Sequence, residues 1–273
     1  MRRALLAVMV LAACSSSPKQ NPEDETLARF DHAGDIAIDQ EKPSQAATQF
    51  RAALARARTR DDARAIADTG FNLAAAELAQ GRPRDAINTA HELQTELARR
   101  GVVDPDFDLI SAVALFRLGD LAAADRIAAG LTTGHDAARD NAAWFLRGLI
   151  ADAHNDRAGL QRAVSSLTPS ADPGDVAELQ ARVSHNAALA LRAADLRRDK
   201  LDYRGMARDL ALAAQLTPSA PEAADLYLRS GRSAAAQGDT ADARIWLGNA
   251  RKLAADTALR SDVEQALHKL PPH

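Results

Sequence analysis

The sequence predicts an all-α chain, an array of helical hairpins stacked in series. Three observations predict it. The 273 residues are 47% hydrophobic but only 4% aromatic, so much of the apolar content is alanine, the residue that loses no side-chain entropy in a helix. Val, Ile, Thr and Tyr seldom fall in alternating runs, so strand signals are thin. From Thr26 onward, apolar helical runs alternate with minimal turns, several carrying Gly-Asp or Gly-x-Pro: Gly81-Arg82-Pro83, Gly119-Asp120 and Gly238-Asp239. Glycine relieves the left-handed end of one helix, and Asp or Pro starts the next.

In chain order, the first element is a leader. Met1-Arg2-Arg3 is a short positive segment, and Ala4 to Ala13 is an apolar stretch of ten residues. That length suits a signal peptide and falls short of the roughly 20 apolar residues of a spanning helix. Leu11-Ala12-Ala13-Cys14 resembles the bacterial lipobox, and Cys14 is the sole cysteine of the sequence. The resemblance implies cleavage before Cys14, a lipid on its thiol, and small residues at Ala12 and Ala13 for a tight peptidase pocket. It also implies that Ser15 favours the outer membrane over the inner one. Residues 1–13 are then a signal peptide, and 14–25 are the lipidated cysteine with a polar tether, Ser15 to Glu25, holding two prolines. Residues 26–270 are the folded domain.

The hairpins follow. The first unit places Phe30, Gly34, Ala46, Phe50 and Ala53 at regular spacing, and the second Leu73, Ala74, Gly81, Ala86, Ala90 and Leu93. The third places Ala112, Leu115, Gly119, Ala124, Ala128 and Leu131. The fourth has Trp144, Gly148, Leu160, Val164 and Leu167, with Leu160 oversized. The sixth has Tyr227, Gly231, Gly238, Ala243, Leu247 and Ala250. The fifth reads as irregular. Its second helix holds Tyr203, Met206, Leu210, Ala213 and Pro218, and its first, near Asn186 to Leu191, is set apart by extra residues around Arg197 to Lys200. Leu259 to Leu270 reads as an end helix with a polar outer face. Small residues sit where two helices cross, and larger ones fill the holes beside them.

This spacing resembles the tetratricopeptide (TPR) repeat, a helical hairpin of 34 residues, over about residues 26–256. The resemblance implies a right-handed α-solenoid of about six TPR-like hairpins plus a C-terminal capping helix. It also implies a concave groove lined by the first helix of each pair. Carried over position by position, that groove holds His32 and Asp35, Asn72, Phe116 and Arg117. In the fifth and sixth units it holds His185, Asn186, Arg192, Arg229 and Arg232. Asn72 and Asn186 stand where some family members grip a peptide backbone or terminal carboxylate. The two basic residues that complete such a clamp are missing after Asn72, where Asp106 and Ile110 stand. They are half present after Asn186, as Asp225 and Arg229.

No catalytic constellation is legible. The histidines have no HExxH-like spacing, and there is no phosphate-binding glycine loop and no nucleophile elbow. Asp152 to Asp156 and Asp104-Pro-Asp106-Phe-Asp108 carry clustered carboxylates, but each reads as turn or helix-start chemistry. No metal and no cofactor are expected. The net charge of −3 becomes −5 once Arg2 and Arg3 are removed, leaving 32 basic against 37 acidic residues, which disfavours nucleic acid as a partner. Trp144 falls at a packing position, while Trp246 fits core and recognition equally. The run Arg56, Arg58, Arg60 reads as a solvated helix end, with an anionic lipid surface as its alternative. The expected function is a lipid-anchored, non-enzymatic interaction scaffold of the bacterial cell envelope facing the periplasm. It would bind a protein or peptide segment in the groove, in the manner of outer-membrane assembly lipoproteins or pilotins. A binder of small cell-wall fragments is the alternative, and would need aromatic platforms. A helical-solenoid hydrolase is a third reading, and would need converging carboxylates or a nucleophile.

Overall fold

The computed structural model describes residues 24–271. Cys14, the leader and all but the last residues of the tether lie outside the described residues. Those described form fourteen helices and no strand. They fall into two compact units, one ending at Ile150 and one beginning at Ala151.

The first unit holds α1 (Glu25–Asp39), α2 (Pro43–Thr59), α3 (Ala63–Ala79), α4 (Pro83–Ala98), α5 (Asp106–Leu118) and α6 (Leu121–Gly130). It also holds most of α7 (Ala137–Ala153). Consecutive helices pack as antiparallel pairs, and the small residues sit at the crossings. A Cβ on Gly34 would lie 2.4 Å from the Phe50 ring. Ala74 and Ala112 are wholly buried, as are their partners Ala86 and Ala124. Gly148 is buried too. In each pair the two small residues stand twelve positions apart, so the TPR-like spacing is a property of the packing itself.

The turns use two devices. Pro43 and Pro83 open α2 and α4 at the first helical positions, where a missing N–H costs nothing. Asp62 and Asp120 cap α3 and α6 by accepting from Ala65 and Ala123 N–H groups at 3.1 Å. Gly81, Gly119 and Gly238 take positive φ, as their turn role requires. The same left-handed turn is made elsewhere by Glu41, Asp61, Asn155 and Leu201, which the glycine signature does not reveal.

The second unit holds α8 (Arg157–Ser166), α9 (Pro173–Ser184), α10 (Ala187–Asp199), α11 (Tyr203–Leu216), α12 (Ala220–Ala236), α13 (Thr240–Leu253) and α14 (Thr257–His268). Gly231 lies under Leu247: an added Cβ would meet its Cγ at 2.6 Å and its backbone nitrogen at 3.2 Å. Helix α14 closes the unit, burying Val263 and leaving most of its surface wet.

The fifth unit differs from expectation. Residues Arg197 to Lys200 are not an insertion: α10 runs on to Asp199, and Lys200 to Asp202 is the same minimal turn as elsewhere. Ala194 precedes Met206 by twelve positions, so α10 and α11 form a regular hairpin. The surplus chain is α9, a helix between the fourth and fifth hairpins. Asp172 caps it through the Gly174 and Asp175 N–H groups, and Pro173 occupies its first position.

Candidate functional site

Register decides which side chains share a face. His32, Asn72, Arg192 and Arg229 each stand two residues before the small crossing residue of their helix, Gly34, Ala74, Ala194 and Gly231. They occupy one repeat position on α1, α3, α10 and α12. His32, Arg192 and Arg229 are exposed, and Asn72 is half-buried. Asp35, Asp195 and Arg232 share the position just after the crossing residue, and all three are exposed.

His185 and Asn186 do not belong to that face. His185 ends α9 in a left-handed conformation at φ 52°. Asn186 caps α10, its side chain accepting from the Ala188 N–H at 2.9 Å. The fifth unit's register is set by Ala194 and not by an insertion at 197–200, which takes Asn186 off the face that carries Arg229. The groove residues expected in the fifth and sixth units therefore reduce to three, and their face is mixed in sign. It consists of Arg192, Arg229 and Arg232 interleaved with Asp195 and Asp225, and Arg232 lies 3.7 Å from Asp262. Arg117 is also engaged inside the fold, donating to the Leu78 carbonyl at 2.7 Å and so tying α5 to α3.

On the first unit the corresponding face is acidic. Asp31 and Asp35 on α1, Asp68 on α3, and Asp104 with Asp106 at the start of α5 act on one another through space. Desolvation pushes the Asp31 carboxyl up to about 6, Asp35 and Asp68 add to the rise, and a hydrogen bond from the Thr69 hydroxyl at 3.3 Å offsets part of it. Asp35 is raised by desolvation and by Asp39, with His32 acting against the rise. Asp68 is raised chiefly by desolvation, against Arg64 at 3.7 Å. Asp104 is raised by desolvation first and by Asp106. Sequence reading assigned Asp35 to the groove and missed the rest, because nothing local marks Asp31, Asp68 and Asp106 as neighbours. The repeat register alone brings them together.

The other clusters singled out in the sequence have structural work. Asp104 accepts from the Asp106 N–H at 3.0 Å, Asp106 pairs with Arg139 at 2.6 Å, and Asp108 accepts from Gln94 at 2.6 Å. Asp156 caps α8 at Gly159, and Asp152 pairs with Arg182 at 2.5 Å. Arg56 and Arg60 both hold Asp24, the N-cap of α1, at 2.7 and 2.9 Å. Those contacts, the Arg56 hydrogen bond first, keep the Asp24 carboxyl well below its usual range. Arg58 is taken by Glu92 and Glu96, both at 2.7 Å. The basic run is thus neutralised within the fold. The Arg147 guanidinium covers the half-buried Trp144 ring at 4.7 Å, and Trp246 packs partly against the core.

No family model matches the chain, and no curated protein matches it. Among solved structures it is similar to a tetratricopeptide repeat protein from Parabacteroides merdae, with 14% identity and a TM-score of 0.46 over 90% of this chain and 100% of that one. Pseudomonas aeruginosa pilF gives 15% identity and a TM-score of 0.45 over 89% and 98% of the two chains. The TPR2AB domain of yeast Sti1, in complex with pHSP90, gives 16% identity and a TM-score of 0.35 over the same shares.

Proposed function

We propose that this protein is a non-enzymatic interaction scaffold, tethered to the cell envelope by a lipid on Cys14, that takes a cationic partner segment on the first unit. The observation that carries the reading is the row of carboxylates Asp31, Asp35, Asp68 and Asp104. All four are lifted above the ordinary range by desolvation, with few cations to balance them. A lysine or arginine laid along α1, α3 and α5 supplies the missing charge and lets these groups ionise. The cost that folding leaves on that face becomes binding energy for a basic segment, and complementary charge of this kind sets specificity and encounter rate.

The test is titration of an unstructured Lys/Arg-rich oligopeptide against the protein. Affinity should rise as pH is raised through 6, because binding favours the ionised Asp31, and it should fall with salt. The double variant Asp35→Asn, Asp68→Asn should weaken binding by about tenfold, in line with two charge-assisted contacts of modest strength. Binding that ignores both salt and the double variant would overturn the reading.

The second unit favours a different contact. Arg192 and Arg229 occupy one repeat position on successive first helices and are exposed. An arginine fork holds a carboxylate through two parallel bonds, so each of these two side chains can grip a single carboxylate between the Asp195 and Asp225 that flank them.

A further inference from the structure

Arg197 stands where the repeat expects an apolar core residue, three positions after Ala194, and its side chain is only 2% exposed. Around it lies a buried ionic cluster drawn from three helices and the turns that start two of them. From α9 and its cap come Asp172, Asp175, Glu178 and Arg182. From α10 and the turn after it come Arg197 and Lys200. From α11 and its cap come Asp202, Arg208 and Asp209. Arg197 donates to Asp209 at 2.7 Å, to Glu178 at 2.8 Å and to Asp175 at 3.0 Å, and lies 3.6 Å from Asp202. Lys200 pairs with Asp172. Arg182 bridges Glu178 and Asp152, the one member from α7. On α8, Arg157 donates to the Val183 carbonyl of α9 at 3.4 Å. Asp239 and Asp242, from the start of α13, act on Arg208.

Five carboxylates, Asp172, Asp175, Glu178, Asp202 and Asp209, therefore lie in this interior with Arg182, Arg197 and Arg208, while Asp152 and Lys200 stand at its edge. Ion pairs hold most of them, but Asp209 Oδ1, Arg197 Nη1 and Arg208 Nη2 have no hydrogen-bond partner. A buried cluster with surplus acid is expensive fully ionised and settles when it takes up protons. Helix α9 buries Ala177, Leu179 and Ala181, and Asp175 and Glu178 add its ionic contacts to the α10–α11 hairpin. We propose that α9 is a proton-latched strap, docked tightly on that hairpin in mildly acidic surroundings and loosened as the medium turns alkaline.

The titrations agree in direction. Desolvation, with Asp172 and Glu178 adding to it, pushes Asp175 up to about 7 against the pull of Arg197. Asp209 is also driven up, by desolvation and then by Glu178. Glu178 is desolvated too, but Arg182 and Arg197 hold it below its usual range. Lys200 helps to hold Asp172 low in the same way, against its own desolvation. A carboxyl raised in the folded state binds its proton there and not in the open state. Its contribution is present in acid and lost as pH rises from about 4 to about 7. Glu178 and Asp172 act in the opposite sense, and their contribution is lost only below about pH 4. Docking is therefore tightest in mild acid.

The experiment is hydrogen exchange on the full chain at pH 6 and pH 8, corrected for intrinsic exchange rates and read by segment. Protection of residues 173–184 should drop by about tenfold between these pH values from Asp175 alone, while α2 to α4 keep theirs. Asp175→Asn should hold α9 protected at pH 8. Equal corrected protection of α9 in the parent at the two pH values would overturn the proposal, as would a loss shared by α2 to α4. Both outcomes are read in the parent chain and do not depend on the variant folding.

Discussion

Gly231 leaves no room for a side chain, because the backbone nitrogen of Leu247 as well as its side chain lies across the crossing. Gly231→Leu should overpack this site and cost about 1–3 kcal/mol or more, read as a lowered urea midpoint with unchanged slope. A variant with the parent's midpoint would mean the two helices can part freely. Positions such as this were legible from spacing alone, since a small residue recurring twelve before another is the mark of a close crossing. Arg197 was not. Its own stretch, Arg197 to Lys200, reads as extra residues between two helices, and several of its partners come from a helix the spacing did not announce. Gly205 hints at it, since a Cβ there would fall 2.3 Å from Arg197 Cδ. Arg197→Ala strands Asp175 and Asp209 without their cation, leaves Glu178 to Arg182 alone, and should cost about 3–5 kcal/mol. A thermal unfolding scan with no change of midpoint would show that the cluster carries no net stabilisation.

Most of the described helices start with a cap or an opening proline that can be removed singly. Asp120 caps α6 from an exposed turn and touches nothing else of note, so Asp120→Ala should cost about 1 kcal/mol. Caps and opening prolines are local signals, and for that reason most helices could be placed from the sequence. The element that escaped was α9. Pro173-Gly174 looks like loop chemistry, and the helix holds its place through charges on its neighbours, which no local pattern encodes. Leu201, at φ 59°, hid the turn that would have restored the fifth unit's register. Helix α1 offers a pH test of the acidic face. Asp31 is raised, so the folded state holds its proton, and stability is given up as pH rises from about 4 to about 6. Asp31→Asn keeps an acceptor for the Thr69 hydroxyl and removes the charge. It should stabilise the protein by about 1 kcal/mol at pH 8, after allowance for partial solvent screening, and by nothing near pH 4. Equal effects at both pH values would mean that Asp31 sits in an ordinary, water-like setting.

At the scale of the whole molecule, the proposed lipid anchor on Cys14 has consequences that can be measured. Charge is a poor alternative to it. The chain without its leader is net acidic, and the one conspicuous basic run is spent on Asp24, Glu92 and Glu96. No described helix is long and apolar enough to cross a bilayer. On the proposed reading, acyl groups on Cys14 would hold the protein, each buried methylene contributing about 0.8 kcal/mol. Asp24, held by Arg56 and Arg60, caps the first described helix. From Cys14 the chain can reach it across at most about 33–36 Å if fully extended, so a lipid on Cys14 would keep the described helices within that distance of the surface. A lipid anchor and an electrostatic one respond oppositely to salt. In cell fractionation the parent should stay with membranes through a wash at about 1 M salt, where the screening length falls to about 3 Å, and leave only with detergent. Cys14→Ala should appear in the soluble fraction or accumulate with its leader uncut. Release of the parent by salt, or normal processing and retention of Cys14→Ala, would remove the lipid from the account and return membrane attachment to a surface that the described residues do not display.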